Sequence, residues 1–339
     1  MNATRIGLAG YGSGGRIFHA PLLATAEGVE FAGVVTTSPA RREQLAQDHP
    51  EVRAYDSLAE LAADGVEAVA ISTPAATHAS LAREAIGLGL AVVVDKPFAL
   101  DAEAAREVTT LAETAGVLLS VYQNRRWDSD LLTVQKLIAE GALGEVRRFE
   151  SRFERWDPTR EPPAAGGGTL LDFGAHLVDQ AHLLFGPSTR VYAEVRGDGD
   201  LDDDVFVALH HASGVESHLW GSWRQAAPGP RFRVSGTTGT YIVDGIDGQE
   251  EALKAGRSPA DLGERWGLEP EHSWGRLYRG KTGAPVRSER GRWDTYYPAF
   301  AAAVRGESPP PVDPWDSVRT MDVLDAARIS ATTGETVTL

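Results

Sequence analysis

The run Arg5-Ile6-Gly7-Leu8-Ala9-Gly10-Tyr11-Gly12-Ser13-Gly14-Gly15-Arg16 constrains this chain more than any other stretch. A short apolar strand ends in glycines spaced GxGxxG, at Gly10, Gly12 and Gly15, and helix-forming sequence follows. The spacing alone is a weak signal, but a strand before it and a helix after it are the context the motif requires. Gly10 permits a tight turn. Gly12, lacking a Cβ, lets the backbone approach a pyrophosphate, and Gly15 lets the helix lie close on the strand. Unbonded N–H groups at the helix start, with Ser13 and Arg16 beside them, then hold the anion. The rival reading, a glycine-rich surface turn, does not account for the flanking elements.

The same rhythm continues downstream. Phe31 to Thr36, Val66 to Ser72, Ala91 to Val94 and Val117 to Tyr122 are short, apolar and β-branched, as buried parallel strands are. Helical patterns separate them. The clearest starts after Asp101, a good N-cap, and stops before Gly116. This predicts an α/β chain whose residues 1–122 form a Rossmann domain, a doubly wound parallel sheet. From residue 123 the strands lengthen and alternate: Val146 to Phe153, Arg190 to Arg196, Val205 to Leu209, Glu216 to Trp223 and Arg231 to Ser235. Residues 123–339 are expected to form an α+β domain with a large, mainly antiparallel open sheet for substrate binding and oligomerisation. Residues 245–290, rich in Gly, Pro and charge, fit either a mobile loop or an oligomer contact. Trp315 to Thr332 reads as a helix.

Composition removes several classes of function. With 339 residues the chain exceeds one ordinary core. Cysteine is absent, so there is no disulfide framework or thiolate metal site. A formal charge of −15 repels phosphate backbones and argues against nucleic-acid binding. No apolar run approaches the ~20 residues that cross a bilayer. The first residues lead straight into a strand without a signal-peptide pattern, so a cytoplasmic protein, bound to no membrane, is expected.

Three further stretches carry chemistry. The second strand ends in Thr36-Thr37-Ser38-Pro39-Ala40-Arg41-Arg42, without the acidic residue that takes the ribose 2′-hydroxyl of NAD. Hydroxyls and two arginines suit a 2′-phosphate, so NADP is expected in preference to NAD. The bland alternative makes Arg41 and Arg42 solvated helix residues. Asp95-Lys96-Pro97 closes a central strand, and ligands of open parallel sheets bind outside the carboxyl ends of strands. Finally, Leu170 to Phe185 reads as one helix, with Thr169 as N-cap and Gly186-Pro187 as its stop. Asp172, His176 and Asp179 lie opposite its apolar stripe, at i, i+4 and i+7. An Asp one turn from a His can orient the ring for proton transfer. The alternative is a solvent-exposed polar face. Two carboxylates and one His make a thin basis for zinc without an HExxH-type signature, and no metal is expected.

These motifs together resemble the glucose–fructose oxidoreductase / inositol dehydrogenase / MocA family over nearly the whole chain. They are the Gly10 loop, Ser72-Thr73-Pro74 with His78, Asp95-Lys96-Pro97, Asn124-Arg125-Arg126-Trp127, and Gly168 with Asp172 and His176. The family more often has Glu where this chain has Asp95. Gly15 to Leu22 and Gln123 to Asp128 look most like the branch containing NADP-dependent scyllo-inositol dehydrogenases. The resemblance implies an enzyme that moves hydride between a nicotinamide cofactor and a CH–OH group of a small polyhydroxylated substrate. It implies His176 as proton acceptor, Lys96 as partner of the reacting hydroxyl, and Asp172 as orienter of His176 or holder of a neighbouring hydroxyl. Thr73, Pro74, Lys96 and Pro97 would line the cofactor cleft. Asn124, Arg126, Trp127 and Asp179 would contact cofactor or substrate, and His78 would support the cleft. A homodimer or homotetramer built on the C-terminal sheet is implied as well. Two alternatives stay open here: reduction of another sugar or dihydrodiol on the same fold, and a non-catalytic NADP-sensing regulator.

Overall fold

A computed structural model describes residues 3–157, 159, 167–197 and 201–339. The chain divides into two compact units, each assembled from more than one stretch of sequence.

Unit 1 holds residues up to Gln123 together with Gln249–Trp266 and Trp293–Val318. Its strands are β1 (Thr4–Ala9), β2 (Val29–Val35), β3 (Arg53–Tyr55), β4 (Ala68–Ile71), β5 (Ala91–Asp95) and β6 (Leu119–Tyr122). All pair in parallel, in the order β3-β2-β1-β4-β5-β6. The order reverses between β1 and β4, which places the loops after these strands at a switch point, where open α/β sheets bind ligands. Ile6, Leu8, Val69, Ile71, Val92, Val93 and Val94 are fully buried, as strands covered on both faces require. The helix Ala102–Ala115 starts where Asp101 accepts the Ala104 N–H at 2.8 Å and ends at Gly116, whose φ of 65° is the left-handed value glycine tolerates. The three-residue β3 has no counterpart in the sequence reading.

The returning segments complete unit 1. Ser120 on β6 donates to the Val312 carbonyl at 2.9 Å and accepts from the Tyr296 hydroxyl at 3.0 Å. Phe18 meets Trp293 edge to face. Part of the 245–290 stretch therefore belongs here, as the short helices Gln249–Lys254 and Pro259–Leu262.

Unit 2 carries β7 (Val146–Glu154), β8 (Ser188–Arg196), β9 (Asp204–His211), β10 (Glu216–Ser222), β11 (Phe232–Gly236), β12 (Thr240–Val243), β13 (Arg276–Arg279), β14 (Thr282–Pro285) and β15 (Val337–Thr338). Their order is β14-β13-β12-β11-β7-β10-β9-β8-β15. Only the β7–β10 pair is parallel, so the sheet is mainly antiparallel, as read. The rest of the 245–290 stretch supplies its outer hairpin, β13–β14. Burial alternates strictly along β9, with one face packed and one accessible to solvent. The helix Gly174–Phe185 covers the packed face over β7 and β10. The closing helix runs Pro314–Thr333. No helix among the described residues is long and apolar enough to cross a membrane.

Candidate functional site

The glycine loop of unit 1 is closed at its back and open at its tip. Gly10 has φ 97°, and a Cβ there would stand 2.7 Å from the Ser72 carbonyl oxygen. A Cβ on Gly15 would stand 2.1 Å from the Gly10 carbonyl oxygen, whereas one on Gly12 would meet nothing within 4 Å. The chain then winds through a π-type turn, Gly14–His19, into the α-helix Ala20–Thr25. Ser13 is exposed at the loop tip. Arg16 turns to Asp48, with its Nε at 2.6 Å and Nη2 at 3.0 Å, and Asp48 also accepts the Tyr11 hydroxyl at 3.0 Å. The guanidinium holds Asp48 below the usual carboxylate range.

At the end of β2, Thr37 and Ser38 are exposed and Thr36 is half-buried. Arg42 donates to the Thr36 carbonyl at 3.0 Å and to Asp56 at 2.6 Å, and Arg41 donates to Gln44 at 2.7 Å. Both arginines therefore flank the hydroxyl-bearing turn, and each already has a partner.

The rim around Lys96 is built from the loops after β4 and β5. Asp95 accepts the Lys96 backbone N–H on Oδ1 at 2.8 Å and the Ser72 hydroxyl on Oδ2 at 2.8 Å. His19 Nε2 lies 3.1 Å from the same Oδ2. Burial pushes the Asp95 carboxyl up, but His19, then Lys96 and His78, push harder the other way, and it is held below the usual range. The Lys96–Pro97 peptide is cis. His78 is buried and ties the two loops together, with Nε2 2.8 Å from the Thr73 carbonyl and Nδ1 2.8 Å from the Pro97 carbonyl. Thr73, Pro74, Lys96 and Pro97 thus share one rim, at the carboxyl ends of β4 and β5.

In unit 2 the Asp/His segment departs from its sequence reading twice. It is not one helix but two, Gly168–Asp172 and Gly174–Phe185, meeting at Phe173. Thr169 is not its N-cap. The cap comes from a distant loop: Asp202 accepts the Leu170 N–H on Oδ2 at 2.5 Å, and its carbonyl takes the Thr169 N–H and hydroxyl at 3.0 and 2.9 Å. Sequence periodicity cannot see a cap supplied from 33 residues away.

The face opposite the apolar stripe is buried rather than solvated. Asp172 is half-buried, His176 is 5% exposed, Asp179 2% and Gln180 0%. The reason lies in the short helix Asn124–Trp127 and in β7 and β11. Arg126 grips Asp179 with Nε at 2.9 Å and Nη2 at 2.6 Å. Gln180 donates to the Arg125 carbonyl at 2.9 Å and accepts from Arg231 at 2.7 Å. The His176 ring lies parallel to Phe153, 6.1 Å between centroids. Asn124 is buried and Trp127 half-buried on the same turn. His182 meets the Ser188 hydroxyl at 3.0 Å, away from this group. Sequence reasoning gave no role to His19 and Ser72, which it read only as parts of motifs, and missed Tyr297, Gln180 and Arg231. The only local signal was a histidine two residues before Pro21 in the helix that follows the glycine loop.

Comparison with known proteins agrees with this architecture. Residues 4–123 match the model described as "Oxidoreductase family, NAD-binding Rossmann fold", and residues 131–242 match the "GFO/IDH/MocA C-terminal domain". The chain is 33% identical to scyllo-inositol 2-dehydrogenase (NADP(+)) IolW of Bacillus subtilis, over 100% of this chain and 97% of the relative. It is 36% identical to the uncharacterized oxidoreductase YdgJ of Escherichia coli, over 96% of each chain. A crystal structure of an oxidoreductase from Bacillus cereus superposes with a TM-score of 0.90 at 28% identity, over 99% of each chain.

Proposed function

Because the chain belongs to the glucose–fructose oxidoreductase / inositol dehydrogenase / MocA family of oxidoreductases, we propose that it exchanges hydride between NADP and a secondary alcohol or ketone of a cyclitol or sugar-like ring. The open tip of the glycine loop carries this reading. Packing at Gly10 and Gly15 demands glycine for reasons internal to the protein. At Gly12 no protein atom would meet a side chain, so at this place in the GxGxxG motif the loop is open to the approach of a pyrophosphate. The residues present fit a dinucleotide: Gly10, Gly12, Ser13 and Gly15 take the pyrophosphate, with Arg16 lending charge from its seat on Asp48. Thr73, Pro74, Lys96 and Pro97 face the nicotinamide half.

The turn after β2 favours NADP. Thr36, Thr37 and Ser38 offer hydroxyls and Arg41 and Arg42 offer charge, with no carboxylate at 36–38 to bond a 2′-hydroxyl or repel a 2′-phosphate. The Bacillus subtilis relative is itself named for NADP.

When bound, nicotinamide accepts or supplies the hydride at its C4. The protein does the rest. Lys96 donates a hydrogen bond to the reacting hydroxyl and steadies the alkoxide as it forms. His176 takes the hydroxyl proton. Asp172 orients His176 or holds a neighbouring hydroxyl. Asn124 and Trp127 contact cofactor or substrate, while Arg126 and Asp179 act as a joined pair that fixes the turn to the helix. Self-association as a dimer or tetramer is assigned to the solvent-accessible face of the unit 2 sheet, where Phe206 and Trp220 pack 5.2 Å apart. Light scattering on the purified protein checks that part.

The test of function is steady-state kinetics with NADP and NAD across a panel of cyclitols and aldoses. Turnover of a ring polyol is expected, with kcat/KM for NADP about ten-fold or more above NAD, as one charged hydrogen bond supports. A clear preference for NAD overturns the cofactor assignment. NADP binding without turnover of any polyol overturns the reaction.

A further inference from the structure

Behind Lys96 lies a polar chain, Tyr297–His19–Asp95, to which the reading above gives no role. His19, fully buried, ends the π-type turn that follows the glycine loop. Its Nδ1 stands 2.5 Å from the Tyr297 hydroxyl and its Nε2 3.1 Å from Asp95 Oδ2. The other Asp95 oxygen accepts the Lys96 backbone N–H. The glycine loop rests on the same group: a Cβ on Gly14 would stand 2.6 Å from Ser72 Oγ and 3.4 Å from Asp95 Oδ2. Tyr122 lies against the His19 ring, 4.3 Å between centroids.

The donors can be assigned. Burial, then the neighbouring Tyr122, Tyr296 and Asp95, push the Tyr297 phenol well up, so it keeps its proton and donates. Nδ1 of His19 then accepts, and Nε2 carries a ring proton 3.1 Å from Asp95 Oδ2. A buried carboxylate needs such donors. Asp95 accepts from the Ser72 hydroxyl and the Lys96 amide, and the His19 ring stands 3.1 Å from its Oδ2 as a further polar contact. Without His19 the carboxylate loses a buried polar neighbour at Oδ2, and its hold on the Lys96 amide is looser.

We propose that His19, braced by Tyr297, is a positioning residue for Lys96, holding the Asp95 carboxylate that fixes the Lys96 backbone against the glycine loop. The consequence for catalysis rests on the dehydrogenase reading given above. The geometry itself does not.

Two substitutions of His19 separate its two contacts. The amide nitrogen of His19→Gln reaches where Nε2 stands and keeps the donor to Asp95. His19→Asn reaches only where Nδ1 stands and keeps the Tyr297 end. His19→Gln is expected to hold kcat within about three-fold of wild type. His19→Asn should lower kcat about ten- to hundred-fold, the scale of a small misplacement, with KM and the NADP Kd little changed and the primary deuterium isotope effect on kcat increased. Equal losses in both variants, or a loss confined to KM, overturn the proposal.

A second arm needs no cofactor. Nitrogen-15 NMR of the His19 ring in the cofactor-free protein should show a proton on Nε2, and Tyr297→Phe should weaken that preference. Trace acetylation of the cofactor-free protein, read by mass spectrometry, should change the labelling rate of Lys96 in His19→Asn and not in His19→Gln. An Nδ1–H ring, or Lys96 labelling indifferent to both variants, overturns the proposal. Absence of wild-type turnover counts against the functional reading alone, and the cofactor-free arm then decides this one.

Discussion

Arg126 and Asp179 meet as a two-pronged pair, Nε to Oδ2 at 2.9 Å and Nη2 to Oδ1 at 2.6 Å, with the carboxylate 2% exposed. The planar guanidinium matches both carboxylate oxygens at once, which lysine cannot do. Removing one partner strands a buried charge. Arg126→Ala and Asp179→Ala are each expected to cost about 3–5 kcal/mol in urea unfolding. Arg126→Met combined with Asp179→Leu should cost much less than the sum of the single changes. Additive losses would show that the pair does not act as a unit.

Lys96→Ala and His176→Ala are each expected to lower kcat by about 10² to 10⁴, the usual range for a proton-transfer or hydrogen-bonding group at the reacting atom. NADP affinity should stay nearly unchanged, as read by quenching of protein fluorescence. Wild-type turnover in either variant would remove that residue from the chemistry.

Gly12 and Gly15 should fail in different ways. A Cβ at Gly12 meets no protein atom, so Gly12→Val is expected to keep the wild-type Tm while losing NADP binding. A Cβ at Gly15 falls 2.1 Å from the Gly10 carbonyl, so Gly15→Ala should lower Tm before any ligand is added. Thermal melts with and without NADP separate the two. A Gly12 variant that binds normally would contradict the role given to the loop.

Acid and base should act on the fold through different carboxylates. Asp95 is held below its unfolded value of about 3.9, so its contribution is full above that pH and lost as pH falls through and beneath it. Asp128 and Asp130 go the other way. Burial raises both, and Arg125 and Arg231 only partly offset it. Their contribution is full below about pH 3.9 and declines as pH rises through their folded values. Urea midpoints from about pH 3 to about pH 8 should show Asp128→Asn flattening the rising-pH limb and Asp95→Asn flattening the acid limb. The opposite pattern would reverse the assignment of charge to these sites.

Much of this was legible because it is local. The glycine loop, the Asp101 cap, the parallel strand rhythm and the alternating strands of unit 2 each declare themselves within a dozen residues. What escaped is non-local. The tyrosine that braces His19 lies 278 residues on, and the arginine that buries Asp179 lies 53 residues back, so neither pairing leaves a periodic trace. That is why a solvated surface stood as the alternative reading of a helix face that is in fact packed. Gln249–Trp266 and Trp293–Val318 return to unit 1 for the same kind of reason: their partners, such as Ser120 for Tyr296, lie far upstream. Three-residue β3 is too short for alternation to register.

Hydride transfer from a ring carbon is the central claim, and isotope transfer tests it most directly. The protein is incubated with NADP and scyllo-inositol deuterated on its ring carbons, and the reduced cofactor is isolated and examined by NMR. The account predicts deuterium on nicotinamide C4, matched by loss from one ring carbon. Reduced cofactor without deuterium, or bound NADP with every deuterated cyclitol and aldose of the panel left unchanged, would contradict it.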